Sequence, residues 1–162
     1  MLQKVVLGFG SNIGNRQKYI LDSIKMLSIK RNFLFIGLSG LYESEPWGFK
    51  NQNNFLNCVA VFLYRSGPGE LLAEIKKVEK KTGRTIRKKW HPREIDIDIL
   101  FFNNKVLNKK SLMIPHPRLE FRNFVLAPLV QLIPQFVHPS SRITINTLFN
   151  NSADLCRVSR YK

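Results

Sequence analysis

Two aspartates, Asp96 and Asp98, lie one residue apart in Ile95-Asp96-Ile97-Asp98-Ile99-Leu100, where every other residue is aliphatic. Alternate side chains of an extended chain share a face, so both carboxylates point one way and the isoleucines the other. Like charges about 7 Å apart repel, and must be solvated or hold something positive. A hard cation such as Mg²⁺ takes carboxylate oxygens together with substrate phosphates, so the pair suits a metal bridge. The plainer alternative is a strand whose polar face lies in water. The chain has only four aspartates, and half of them are here. The preceding stretch is dense in cations: Lys76, Lys77, Lys80, Lys81, Arg84, Arg87, Lys88, Lys89 and Arg93. Carboxylates for metal beside arginine forks for phosphate oxygens are what a polyphosphate site requires. The lysines of 76–81 can equally be a solvated helix face, so the arginines at 84, 87 and 93 carry the argument. No GxxxxGK[ST] loop or kinase glycine-rich loop occurs, and Gly8-x-Gly10-x-x-x-Gly14 misses the dinucleotide spacing by one residue. Phosphate binding therefore falls to side chains and metal.

Such groups need a scaffold, and the hydrophobic pattern supplies one. Residues 4–9 predict a strand, and Gly10 to Asn15 is turn chemistry with Asn15 as an N-cap. Ile20, Ile24, Met26 and Leu27 recur at helical spacing over 19–29. A second strand is expected over 33–42, and a long polar loop over 43–54, a length that usually signals function. Strand composition returns over 55–63. Ser66-Gly67-Pro68-Gly69 opens a second helix with Leu71, Leu72, Ile75, Val78 and Glu79 in its register and Gly83 as its stop. An irregular basic segment, 84–93, leads into the strand that carries the aspartates. Beyond Pro115 the chain is punctuated by prolines, with short helices around 124–132 and 145–149. The order βαββαβ predicts an α+β, ferredoxin-like sandwich, with helices on one face of a mainly antiparallel sheet.

Composition sets the bounds. The 162 residues suit a single domain spanning 1–162. Cys58 and Cys156 lack metal or redox spacing and read as free thiols in a reducing compartment. No apolar stretch approaches the roughly 20 residues of a membrane span, and the apolar start ends too soon, at Gly8, for a signal peptide. A cytoplasmic protein without membrane association is expected. Lys and Arg number 26 against 11 Asp and Glu, a formal charge of +15, which predicts anionic partners.

Four segments together resemble the 6-hydroxymethyl-7,8-dihydropterin pyrophosphokinases of folate biosynthesis. They are Gly10-Ser11-Asn12-Ile13-Gly14; Phe55-Leu56-Asn57; Gly83-Arg84 through Trp90-His91-Pro92-Arg93-Glu94-Ile95-Asp96-Ile97-Asp98; and Ile114-Pro115-His116-Pro117-Arg118-Leu119 through Arg122, Phe124 and Leu129. The resemblance implies transfer of diphosphate from ATP to the pterin hydroxymethyl group. Asp96 and Asp98 would hold two Mg²⁺ ions, and Arg84 and Arg93 would be catalytic. Glu79, Arg87, Lys88, His116 and Arg122 would serve ATP. Ser44, Trp47, Phe55, Asn57 and Phe124 would serve the pterin, the two rings stacking on it and the asparagine reading its amide edge. The implied partners are ATP and a reduced pterin, with no nucleic acid, and a monomer is expected. The chain departs from the family at His91, where glycine is usual, at Lys76, where glutamine is frequent, and at Ser111, where some members have arginine.

A rival reading is a basic module for single-stranded RNA built on the same sheet. It lacks the Lys/Arg-Gly-Phe/Tyr signature, and it leaves two acidic groups on a surface meant for phosphate.

Overall fold

The computed structural model describes residues 1–46, 50–85 and 91–162. Their main sheet is built from β1 (Gln3–Ser11), β2 (Phe33–Leu38), β3 (Tyr42–Ser44), β4 (Phe55–Tyr64), β5 (Asp96–Phe102) and, near the C-terminus, β8 (Val158–Arg160). The order across the sheet is β5-β1-β4-β3-β8, with β2 also paired to β4, and every pairing is antiparallel. With β2 and β3 counted as one interrupted strand, this is the ferredoxin-like order expected. Strands β6 (Leu107–Lys109) and β7 (Leu112–Ile114) form a separate hairpin.

Helix α1 (Arg16–Ser28) starts where the sequence predicts, with the Asn15 side chain accepting from Lys18 N–H at 3.0 Å. Helix α2 (Pro68–Lys81) has Pro68 at its first position, Glu70 in its first turn and Lys80 and Lys81 in its last, matching the helix dipole at both ends. Gly83 takes φ +104°, which explains a glycine just past the helix.

Both helices pack on one sheet face. Ile20, Ile24 and Leu27 of α1 and Leu71, Ile75 and Val78 of α2 meet Val5, Leu7, Phe9, Phe62 and Ile97 there. The opposite face is not bare, contrary to the one-sided expectation. Helices α3 (Asn123–Leu132) and α4 (Ile145–Asn150) cover part of it, burying Val6, Val59, Val61, Leu100 and Phe101 against Leu126, Leu129 and Ile145. Apolar side chains leave both faces of β1 and β4, and a sheet with two apolar faces must be covered twice. A register shift between Val6 and Leu7, opposite Leu100, sets Leu100 and Phe101 on the same face. The cover by α3 and α4 stops short of the far end of β5, β1 and β4, and the cleft described next opens there.

The strand expected over 33–42 is broken. Ser39 Oγ accepts from Val59 N–H at 3.0 Å, and Ser39 N–H donates to Val59 O at 2.9 Å, so this serine replaces a ladder position at the break. No described helix is long and apolar enough to cross a membrane.

Candidate active site

The cleft has a volume of about 390 Å³. Its floor is β1, the strand between the aspartates and the asparagine. Gly10 pairs with Asp96 on one side and Asn57 on the other, and Gly8 pairs with Asp98 and Val59. Strands lie about 4.8 Å apart, so Asp96 and Asn57 stand about 10 Å apart with only a glycine between them. A Cβ on Gly10 would sit 3.3 Å from Asn57 Oδ1, and one on Gly8 would sit 3.3 Å from the Leu100 side chain. The two glycines dismissed as a phosphate loop thus clear the floor of the cleft, a role that single-strand spacing could not reveal.

On the acidic side, Asp96 and Asp98 emerge on one face, as alternation predicts, while Ile97 and Ile99 are buried on the other. Arg84 approaches Asp96 Oδ1 at 2.8 Å, and one Arg93 guanidinium nitrogen bridges both Asp96 oxygens at 3.0 Å. Burial pushes the Asp96 carboxyl above its ordinary range, the two arginines oppose that shift, and Asp98 reinforces it. Asp98 is solvent-exposed. Arg122 lines the same cleft, its guanidinium 5.6 Å from the centre of the Phe124 ring. His116 is half-buried near Asp98 but outside the cleft lining; burial lowers its pKa and Asp98 resists the change.

Among the described residues, no third His, Cys, Asp or Glu joins the two aspartates in a metal cluster. A structural zinc site needs four protein ligands, and that donor set is missing. Two carboxylates facing an open cleft suit Mg²⁺, which keeps water and takes substrate phosphates.

On the other side, Asn57 is 5% exposed and its Nδ2 donates to Ser44 Oγ at 2.9 Å. That bond fixes the amide and leaves Oδ1 over the glycine floor. Phe55, at the start of β4, and Phe124, in the first turn of α3, are half-buried and line the cleft. Neither belongs to the buried core.

Glu79, expected near the nucleotide, stands behind Arg84 and Lys76 of the cleft lining. It is 2% exposed, lies outside the cleft lining, and has three partners: Arg84, Lys76 Nζ at 2.8 Å and Ile97 N–H at 2.9 Å. Trp47, Arg87 and Lys88 fall outside the described residues.

Sequence reading missed Asn12, which is fully buried. Its backbone N–H donates to Arg93 O at 3.1 Å and its Oδ1 accepts from Arg93 N–H at 2.7 Å. Its Nδ2 donates to Gln52 Oε1 at 3.0 Å and Asn53 O at 3.3 Å. One side chain thereby joins the segment before Phe55 to the segment carrying Arg93. An asparagine in Gly-Ser-Asn reads locally as turn chemistry, and nothing in the sequence marks it as buried.

An antiparallel α+β sheet with paired carboxylates, convergent arginines and an aromatic slot in one cleft suits a phosphotransferase. Comparison with known proteins narrows the class. Residues 6–134 match the family described as 7,8-dihydro-6-hydroxymethylpterin-pyrophosphokinase. The chain is 50% identical over 139 residues to the 2-amino-4-hydroxy-6-hydroxymethyldihydropteridine pyrophosphokinase of Aquifex aeolicus, covering 85% of each chain. It is 36% identical over 129 residues to the enzyme of that name from Bacillus subtilis, covering 80% of this chain and 77% of that one. A folic acid synthesis protein of Pneumocystis carinii is 41% identical over 152 residues, 94% of this chain but only 20% of that protein. Among solved structures, Plasmodium falciparum HPPK-DHPS superposes with a TM-score of 0.73 at 19% identity, over 93% of this chain and 43% of that one, a likeness of fold. This chain belongs to the 7,8-dihydro-6-hydroxymethylpterin-pyrophosphokinase family.

Proposed function

We propose that the chain transfers diphosphate from ATP to the hydroxymethyl group of 6-hydroxymethyl-7,8-dihydropterin, releasing AMP in folate biosynthesis, as a single-domain monomer in the cytoplasm. One observation carries the reading: the carboxylate pair and the asparagine–aromatic slot flank a single glycine-floored strand. A phosphate chain on one side then ends where a flat heterocycle on the other presents its substituent.

Asp96 and Asp98 would hold two Mg²⁺ ions, which when bound neutralise phosphate charge and make the substrate hydroxyl a better nucleophile. The oxygen of that hydroxyl bonds to the β-phosphorus as the bond from that phosphorus to the α–β bridging oxygen breaks, AMP leaves with the bridging oxygen, and the hydroxyl proton passes to solvent. Attack at β rather than γ is a matter of placement, since the chemistry at either phosphorus is alike. Arg84 and Arg93 now neutralise Asp96; with ATP bound, the same guanidinium groups turn to the triphosphate oxygens, as bidentate donors suited to them. Arg122 and His116 approach from beyond Asp98 and complete the grip, with Arg87 and Lys88 expected to join them. Phe55 and Phe124 stack on the pterin, and Asn57 Oδ1 accepts from its amide edge while Ser44 holds the asparagine. Trp47 is expected to assist Asn57 through its backbone groups. No side chain in the described cleft stands out as a general base. The arginines supply their charge in a cleft already shaped, where each good donor contributes a few kcal/mol to the transition state.

Product analysis tests the reaction. AMP and the pterin diphosphate should appear together, in equal amounts, only with ATP, Mg²⁺ and the reduced pterin present. Accumulation of ADP would mean attack at the wrong phosphorus. The glycine floor gives a second test. Gly10→Val puts a branched side chain against Asn57 and should raise the pterin KM by about tenfold or more, at a stability cost of about 1–3 kcal/mol. An unchanged pterin KM would remove the heterocycle from this end of the cleft.

A further inference from the structure

The residues after Ser140 carry no motif of the resemblance, and the family match ends at residue 134, yet the chain end returns to the cleft. Strand β8 pairs with β3, setting Val158 opposite Ser44, the residue that holds Asn57. Glu45 N–H donates to Arg157 O at 3.3 Å, which extends that contact by one residue. Just before β8, Asp154 reaches the other wall. Its Oδ2 accepts from Asn123 N–H at 2.8 Å, and its backbone carbonyl accepts from Asn123 Nδ2 at 2.9 Å.

Asn123 is the first residue of α3, between Arg122 and Phe124. The N-cap of that helix, Arg122, offers no side-chain cap of its own, so an unpaired N–H there must find an acceptor from elsewhere. A carboxylate is the best suited group, since it both accepts the bond and faces the positive end of the helix. The other Asp154 oxygen, Oδ1, is held by Cys156 N–H at 3.0 Å, so the capping carboxylate is itself oriented.

We infer that Asp154 is a positioning residue for the pterin half of the cleft, capping α3 from 31 residues away so that Phe124 and Arg122 stand at a fixed distance from Asn57. The inference rests on the functional reading above, since it assigns Phe124 to pterin stacking. The β8–β3 ladder and the Asp154 cap together tie the two walls of the slot through one short segment. Arg122 feels the Asp154 charge as well, which opposes the lowering of its pKa by burial.

The test compares the parent with Asp154→Ala, Asp154→Asn and Leu155→Ala, the last removing a neighbouring side chain that is 95% exposed. Amide hydrogen exchange at Asn123 reports the cap, and titration with 6-hydroxymethylpterin in the presence of Mg²⁺ and a non-hydrolysable ATP analogue reports the slot. Asp154→Ala should speed Asn123 exchange and weaken pterin binding by about fivefold or more. At saturating pterin and ATP, kcat should stay within about threefold of the parent, because Asp96, Asp98, Arg84 and Arg93 are untouched and saturating ATP offsets any shift of Arg122. Asp154→Asn keeps an acceptor oxygen and should recover most of the pterin affinity, and Leu155→Ala should match the parent. Should Asp154→Ala not fold, Asp154→Ser, too short to reach Asn123, takes its place with the same expectation. Unchanged Asn123 exchange, or faster exchange with parental pterin affinity, overturns the inference. A parent that binds no pterin at all overturns the functional reading, and this inference with it.

Discussion

Asp98→Ala should lower AMP formation by at least about 10³-fold while the protein stays folded, with a stability change within about 1 kcal/mol. The two halves of that expectation have separate causes. Asp98 is exposed on β5, and removing it takes a like charge from beside Asp96, which offsets the lost attraction to Arg122 and His116. The phosphate chain loses one of the two β5 carboxylates proposed to anchor its counter-ions. Asp96→Ala should be as inactive but different in stability, because Arg84 and Arg93 converge on that carboxylate and would be left facing each other. Steady-state AMP release and thermal unfolding of the two variants measure both effects. Turnover within tenfold of the parent in either variant would rule out the metal role. Burial raises the Asp96 pKa in the metal-free protein and the carboxylate is the form that serves metal, so the Mg²⁺ concentration needed for half-maximal rate should rise on acidification, beginning above the ordinary aspartate value of about 4.

The aspartate pair was legible because its signal is local. Alternation over four residues decides which way Asp96 and Asp98 point, and no distant contact can reverse it while the strand stays paired. The N-cap at Asn15 and the stop at Gly83 were legible for the same reason, each being settled within one turn of its own helix. What escaped depends on residues far apart in sequence. The break at Ser39 is held by Val59, twenty positions on. Strand β8 has no β-rich composition in Val158-Ser159-Arg160 and exists through its ladder with β3. Helices on both faces were foreseeable in principle, since Cys58 to Leu63 is an unbroken apolar run and such runs mark strands covered on both sides. Gly8 and Gly10 make sense only with Asn57 and Leu100 beside them. Asn57, Phe55 and Phe124, which the resemblance named, line one cleft, but the resemblance could not say that a glycine strand separates them from the acids.

Glu79 is where resemblance and structure lead to different experiments. A residue near the nucleotide should, when changed to alanine, raise the ATP KM and leave stability alone. The buried carboxylate seen here does something else: it accepts from the N–H of Ile97, the residue between Asp96 and Asp98, and it grips Arg84, which in turn touches Asp96. Glu79 therefore fixes the strand that presents both acids and the arginine that neutralises one of them. Glu79→Ala leaves Ile97 N–H without an acceptor and frees Arg84 to bind Asp96 more fully. The expected loss is about 2–4 kcal/mol of stability, from an unsatisfied buried donor and a broken ion pair. Turnover should fall by about tenfold or more, and the Mg²⁺ concentration needed for half-maximal rate should rise, because an arginine now competes harder for Asp96. Glu79→Gln keeps an oxygen for Ile97 and gives up the ion pair, so it should recover much of the stability but little of the Mg²⁺ dependence. A raised ATP KM with parental melting and parental Mg²⁺ dependence would return Glu79 to the nucleotide.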